Sequence, residues 1–221
     1  MNLSTSGLRA AVLTFATLLC DSALAQQQAP QSLPGGLERV QGSKVALAYV
    51  RPGTDWTKYK TIYLRKLVIP ASARNAAPPG AFPQFGESYM IPDSAVAKLQ
   101  NDFAQSMHNI LGGAGYTFVT TPQADTLIIA PQISKILLKA PIESSRQDYS
   151  SMGQTYSAGG GSITMAAALA DGASKVVIAE VLDRNYGSSV WSVNNSSMNL
   201  EQARQAFDQW ANDLKDKLQP G

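Results

Sequence analysis

Few side chains in this sequence have the type and spacing for chemistry. There is a single histidine, His108. One histidine cannot build a multi-histidine metal site, and no carboxylate pair at ligand spacing accompanies it. A Ser–His–Asp triad would need the same residue, and no Gly-x-Ser-x-Gly elbow is present. His108 therefore reads as a surface residue of a helix, off its apolar stripe. Glu180 and Asp183 are three apart on an expected strand, which sends them to opposite faces. They cannot then share a substrate as the two acids of a glycosidase do. Glu180 reads as solvent-facing, and Asp183 as the start of a turn beside Arg184. Gly112, Gly113 and Gly115 follow a helix, whereas a phosphate cradle precedes one. Gly159-Gly160-Gly161 lacks the Gly-Lys-Ser/Thr of a phosphate loop. This inventory predicts no catalytic residue, no metal site, no cofactor and no enzymatic activity.

Two loops remain as candidates for binding. Pro70 to Pro92 holds five prolines and two glycines, together with Phe82, Phe85, Tyr89 and Met90. Apolar side chains on such a loop either fold back on their own core or meet a partner. Phe82, Phe85 and Tyr89 are the candidate interaction residues. Ala140 to Gly161 is rich in Gly and Ser, contains Tyr149 and Tyr156, and reads as a mobile loop. A pocket beside it would suit a small molecule or glycan. Arg51, Asp55 and Tyr59 could form a surface cluster. The preferred reading is a turn in which Asp55 caps backbone N–H groups.

The positioning elements follow from periodicity. Val45–Tyr49 and Thr61–Ile69 read as strands, the second inside a sheet because both its faces are partly apolar. Asp93 or Ser94 opens a helix to about Leu111, with Val96, Leu99, Phe103, Met107 and Ile110 on one face. Tyr116–Val119 is a short strand and Thr126–Leu138 a long one, bent at Pro131. Ser162–Leu169 and Lys175–Leu182 form a hairpin about Asp171-Gly172. Val190–Val193 adds a third strand to that meander. Asn199 caps a closing helix whose stripe is Leu200, Ala203, Phe207, Trp210, Leu214 and Leu218. The expected fold class is α+β. It is a single domain over residues 44–221, with a mixed or mainly antiparallel sheet of five to seven strands and two long amphipathic helices packed on it.

The N-terminus reads as an export signal. Arg9 precedes the apolar run Ala10–Leu19, and Ala23-Leu24-Ala25 supplies a small-x-small cleavage site. The run is about half a membrane span. Residues 1–25 are therefore a signal peptide, and 26–43 a flexible spacer rich in Gln, Pro and Gly. Cleavage after Ala25 removes the one cysteine, Cys20. The alternative is lipidation of Cys20, which would leave a single-chain anchor; Leu19, just before it, departs from that pattern. Membrane contact is expected only in that case. The formal charge is +2, with no basic stripe, so nucleic acid is not an expected partner.

Two segments carry a family resemblance. They are Tyr49-Val50-Arg51-Pro52-Gly53-Thr54-Asp55-Trp56-Thr57-Lys58-Tyr59, and Ala179-Glu180-Val181-Leu182-Asp183 leading to Phe207, Trp210-Ala211 and Leu214. Together they resemble the bacterial envelope family catalogued as domain of unknown function 3313, from about Lys44 onward. The resemblance implies export, often as a lipoprotein, and a small α/β-type domain; it carries no catalytic or binding residues. The functional expectation is a periplasmic, non-enzymatic adaptor or accessory subunit whose partner is an unidentified envelope protein. The alternative is a periplasmic small-molecule or glycan-binding protein. The oligomeric state is not legible.

Overall fold

A computed structural model of the chain describes residues 29–77, 87–138, 142–143, 156–157, 161–186, 192–193 and 196–219. The strands begin with β1 (Ser32–Leu33), β2 (Leu37–Arg39), β3 (Leu47–Val50) and β4 (Thr61–Leu64). Helix α1 (Ala71–Arg74), β5 (Glu87–Ser88), α2 (Asp93–Gly113), β6 (Thr117–Phe118) and β7 (Thr126–Leu137) follow. The chain then forms β8 (Ile142–Glu143), β9 (Tyr156–Ser157), β10 (Ser162–Asp171), β11 (Val177–Tyr186), β12 (Ser192–Val193) and α3 (Ser196–Leu218).

Eight strands make one mixed sheet in the order β1-β2-β3-β11-β10-β7-β4-β6. This corrects the expected five to seven strands, and three helices replace the expected two, although only α2 and α3 are long. The extra strands come from the stretch read as a spacer. β1 and β2 span only two and three residues. They join the sheet through backbone pairing, with no side-chain periodicity for a sequence reading to detect. Leu37, 2 % exposed, is their buried anchor. On the same face, the Tyr49 hydroxyl donates to the Pro30 carbonyl at 2.7 Å.

The centre of the sheet is the antiparallel trio β11-β10-β7. β4 lies parallel to both β7 and β6, inside the sheet as its two apolar faces implied. It ends at Leu64 rather than Ile69. That early end accommodates Pro131 in the middle of β7. Ile129 and Pro131 offer their carbonyls outward, to Arg65 and Val68, and Ile133 donates to Val68. The N–H that proline lacks would also point outward, where β4 has already left the ladder, so no sheet bond is lost. The irregularity in β7 pairing lies opposite Thr164/Met165, not at Pro131. β12 pairs with β9 in a separate ribbon and does not extend the β10–β11 meander.

The hairpin turn is held from inside. Asp171, 6 % exposed, accepts from the backbone N–H groups of Ala173 and Ser174 at 3.1 and 2.8 Å. It also accepts from Lys58 Nζ at 2.6 Å and the Tyr59 hydroxyl at 3.2 Å. Burial alone would raise its pKa, but the Lys58 and Ser174 donors outweigh it and hold the carboxyl well below the usual range. Gly172 is required by close approach, since a Cβ there would collide with the carbonyls of Gln123 and Thr126.

Both long helices pack on one face of the sheet. α2 starts after Pro92 without a side-chain cap, so neither Asp93 nor Ser94 acts as one. Val96, Leu99, Phe103 and Met107 are buried as their spacing predicts. α3 begins at Ser196, earlier than Asn199, and buries Phe207, Trp210 and Leu218. Phe103 meets Phe207 edge-on, with centroids 5.4 Å apart and planes at 89°. Among the described residues no helix is long and apolar enough to cross a membrane.

Candidate functional site

The helix-covered face of the sheet is floored with small residues. One cross-strand row runs Ala48, Val181, Ala167, Pro131; the next runs Val50, Ala179, Leu169, Ile129. Alanine is depleted in strands because it offers a pleated surface little to pack. Here three alanines leave only methyl groups beneath the helices. Overhead, Phe103, Met107 and Trp210 hold α2 and α3 off that floor. The result is a cavity of about 370 Å³ between sheet and helices, lined mainly by apolar side chains. Its size falls within the roughly 300–1,000 Å³ of small-molecule sites.

The mouth is bridged by the segment between β2 and β3, residues 40–46. Gly42 turns it at φ 66, a left-handed conformation that glycine adopts without a Cβ clash. Three contacts fasten this strap. Val40 N–H donates to the Ala48 carbonyl at 2.9 Å. Lys44 pairs with Asp216 of α3 at 2.8 Å. Ala46 N–H donates to Asp183 Oδ1 at 2.8 Å. The second oxygen of Asp183 accepts from the Trp210 indole N–H at 2.7 Å. A single carboxylate thus ties the strap, β11 and α3 together, through charge-assisted bonds of the stronger kind.

Two further charges sit on this rim. Lys217 Nζ lies 5.5 Å from the centroid of the Trp56 ring. Asp213 lines the cavity, and among the described residues its carboxylate makes neither a hydrogen bond nor an ion pair. Burial first, and then the charges of Asp183 and Asp216, push its carboxyl pKa up against the opposing pull of Lys44.

Glu180 and Asp183 do point to opposite faces, but neither sits as expected. Asp183 lies within β11 rather than at a turn. Glu180 is 8 % exposed rather than solvent-facing. It lies across from Tyr49 and Ala168, and burial pushes its pKa up. His108 is exposed on α2 and stacks on Phe118, centroids 3.8 Å apart. Asp55 accepts from Thr57 N–H at 2.9 Å, which makes it a turn cap. Tyr59 is buried towards Asp171, and Arg51 reaches the carbonyls of Gly35 and Val177, so the three form no cluster. Of the candidate interaction residues, Tyr89 is half-buried against the main core, while Phe82 and Phe85 lie outside the described residues. So does Tyr149, and the Tyr156 side chain is not described. Among the described residues no group of three or more His, Cys, Asp or Glu could hold a metal ion.

The family model described as Protein of unknown function (DUF3313) matches residues 34–214. The chain belongs to that family. The match spans β2 to the last turns of α3, and so takes in the strap, the cavity floor and most of the rim of this DUF3313 member. No match is found among curated proteins. Solved structures show distant likeness. A DUF330 protein from Xanthomonas campestris is 14% identical, with TM-score 0.42, over 75% of this chain and 86% of that one. A PelC dodecamer from Paraburkholderia phytofirmans is 10% identical, with TM-score 0.38, over 76% and 95%. A minor lipoprotein from Acinetobacter baumannii is 10% identical, with TM-score 0.32, over 72% and 91%. None is close enough to carry a function across.

As a binding site these residues went unremarked in the sequence: Phe103, Met107, Trp210 and Leu214 read as core stripes, Asp183 as the start of a turn, and Trp56 and Ala179 only as parts of the family segments. From β10 only Met165, Ala167 and Leu169 face the cavity, so the one sequence signal on that face is Ala167 between two larger side chains.

Proposed function

We propose that this protein is an exported, non-enzymatic member of the bacterial envelope that holds an apolar small molecule in the cavity between sheet and helices. The observation that carries this reading is the cavity itself, floored by Ala48, Ala167 and Ala179 and closed at one side by a strap fixed through Asp183. An apolar chamber with a few polar groups gathered at its mouth is the usual form of a small-molecule site. Export rests on the tripartite signal at the N-terminus. A neutral single-chain amphiphile tests the binding. Dodecyl maltoside below its micellar concentration should raise the melting temperature by roughly 5–10 °C at a hundred times its Kd. No rise at any sub-micellar concentration would refute the reading.

The adaptor reading has one observation in its favour. Val68 and Met90 are 50 % and 53 % exposed beside α1, next to Tyr89 on the loop where a partner contact is expected. A photo-cross-linker at Met90 in intact cells should capture one envelope protein reproducibly. Capture of nothing above background would remove this surface from consideration.

A further inference from the structure

The rim of the cavity restricts which amphiphile it suits. Three carboxylates, Asp183, Asp213 and Asp216, face two ammonium groups, Lys44 and Lys217. Most of this charge is already engaged. Asp183 takes two N–H donors, and Asp216 takes Lys44. Asp213 is the carboxylate left over. A separate observation points the same way. The chain already holds an ammonium on this rim, because Lys217 Nζ sits over the face of Trp56. Indole faces attract cations through the ring quadrupole, and aromatic walls beside a carboxylate are a recurring means of recognising ammonium heads. Trp56 and Asp213 both border the apolar chamber, so a ligand tail inside it would bring a head group to them. An anionic head would meet a rim with one negative charge in excess and its Lys44 already paired.

We infer that the cavity takes a single-chain amphiphile with a positively charged ammonium head, its tail between sheet and helices and its head held at the rim by Asp213, where it displaces Lys217 from the Trp56 face. The inference rests on the ligand-binding reading above and adds the class of ligand.

The test compares three dodecyl chains that differ only in head group: dodecyltrimethylammonium, dodecyl maltoside and dodecanoate. Binding to the mature chain is measured below the micellar concentration of each, for the wild type and for Asp213→Asn. Asparagine keeps the shape of the side chain and removes the charge. The ammonium probe should bind about tenfold more tightly than the maltoside, and dodecanoate most weakly. Asp213→Asn should abolish the tenfold preference and leave maltoside binding unchanged. Equal binding of all three heads, tightest binding of dodecanoate, or a preference that survives Asp213→Asn would overturn the head-group assignment and leave the cavity as a ligand site. Failure of all three to bind would overturn the ligand-binding reading itself, and this inference with it.

Discussion

Ala167→Leu addresses the space under the helices directly. Ala167 is 6 % exposed, in the middle of β10, between Val181 and Pro131. Leucine adds three carbons, which point from the floor into a cavity of about 370 Å³. Each added methylene is worth roughly 0.8 kcal/mol when buried, so three contribute at most about 2 kcal/mol. In a filled core the same change costs about 1–3 kcal/mol through forced rotamers and backbone shifts. The two cases differ in sign. With the space as described, the protein gains about 1–2 kcal/mol, and its melting temperature rises by roughly 2–6 °C for a domain of this size. Urea unfolding should agree, with a higher midpoint and an unchanged slope. The stabilised variant should also lose the dodecyl maltoside shift. A fall in melting temperature of several degrees would show that the helices rest on the alanines. A ligand shift that survives the substitution would place the ligand elsewhere.

Other consequences follow from the polar groups. Asp183→Ala strands the Trp210 indole N–H and frees the strap, and should cost about 2 kcal/mol. A double-mutant cycle with Trp210→Phe should give a coupling of about 1–2 kcal/mol, and a coupling near zero would mean the bond does not form. Asp171 and Glu180 give opposite pH dependences. The Asp171 pKa is depressed, so its contribution is present above the ordinary carboxylate range and is lost as pH falls through its folded value. The Glu180 pKa is raised by burial, so the folded state holds its proton more tightly, and stability falls as pH rises above the ordinary glutamate value. Asp171→Asn should therefore flatten the acid limb of a stability–pH profile. Glu180→Gln should flatten the limb leading to neutrality and raise stability at pH 7, and a loss there would refute the assignment. Finally, the mass of the exported protein should correspond to a chain that begins at Gln26; a mass carrying a lipid on Cys20 would establish the anchored form instead.

Elements whose side chains carry the structural signal were legible in the sequence. The stripes of α2 and α3 show directly which faces are buried, whereas the alternation of β10 marks a hairpin strand without showing that both of its faces are covered. β1 and β2 carry no such signal, because residues in strands of two and three residues are placed by backbone pairing and by a single buried leucine. β4 stops short of its apolar run because Leu67 and Ile69 bury as the chain turns towards α1, and hydrophobicity alone does not distinguish a strand from a buried connection. Glu180 was misplaced for a different reason. Its polarity argues for solvent, while its position between Tyr49 and Ala168 is fixed by the register of three strands. The cavity depends on three alanines from three different strands, Ala48, Ala167 and Ala179, and on how far Phe103, Met107 and Trp210 raise the helices, a distance no single segment encodes.

An alkyl chain held in the cavity would lie between Trp56, Trp210 and the alanine floor. The chain has three tryptophans, and Trp191→Phe leaves only the two that line the cavity. Bromine on an alkyl chain quenches indole emission only on contact, so the measurement is tryptophan fluorescence of this variant during titration with a dodecyl amphiphile brominated along its tail. Saturable quenching that reaches both residues and disappears in Ala167→Leu is expected. Emission that stays constant to the micellar limit, or quenching that Ala167→Leu does not change, would contradict it.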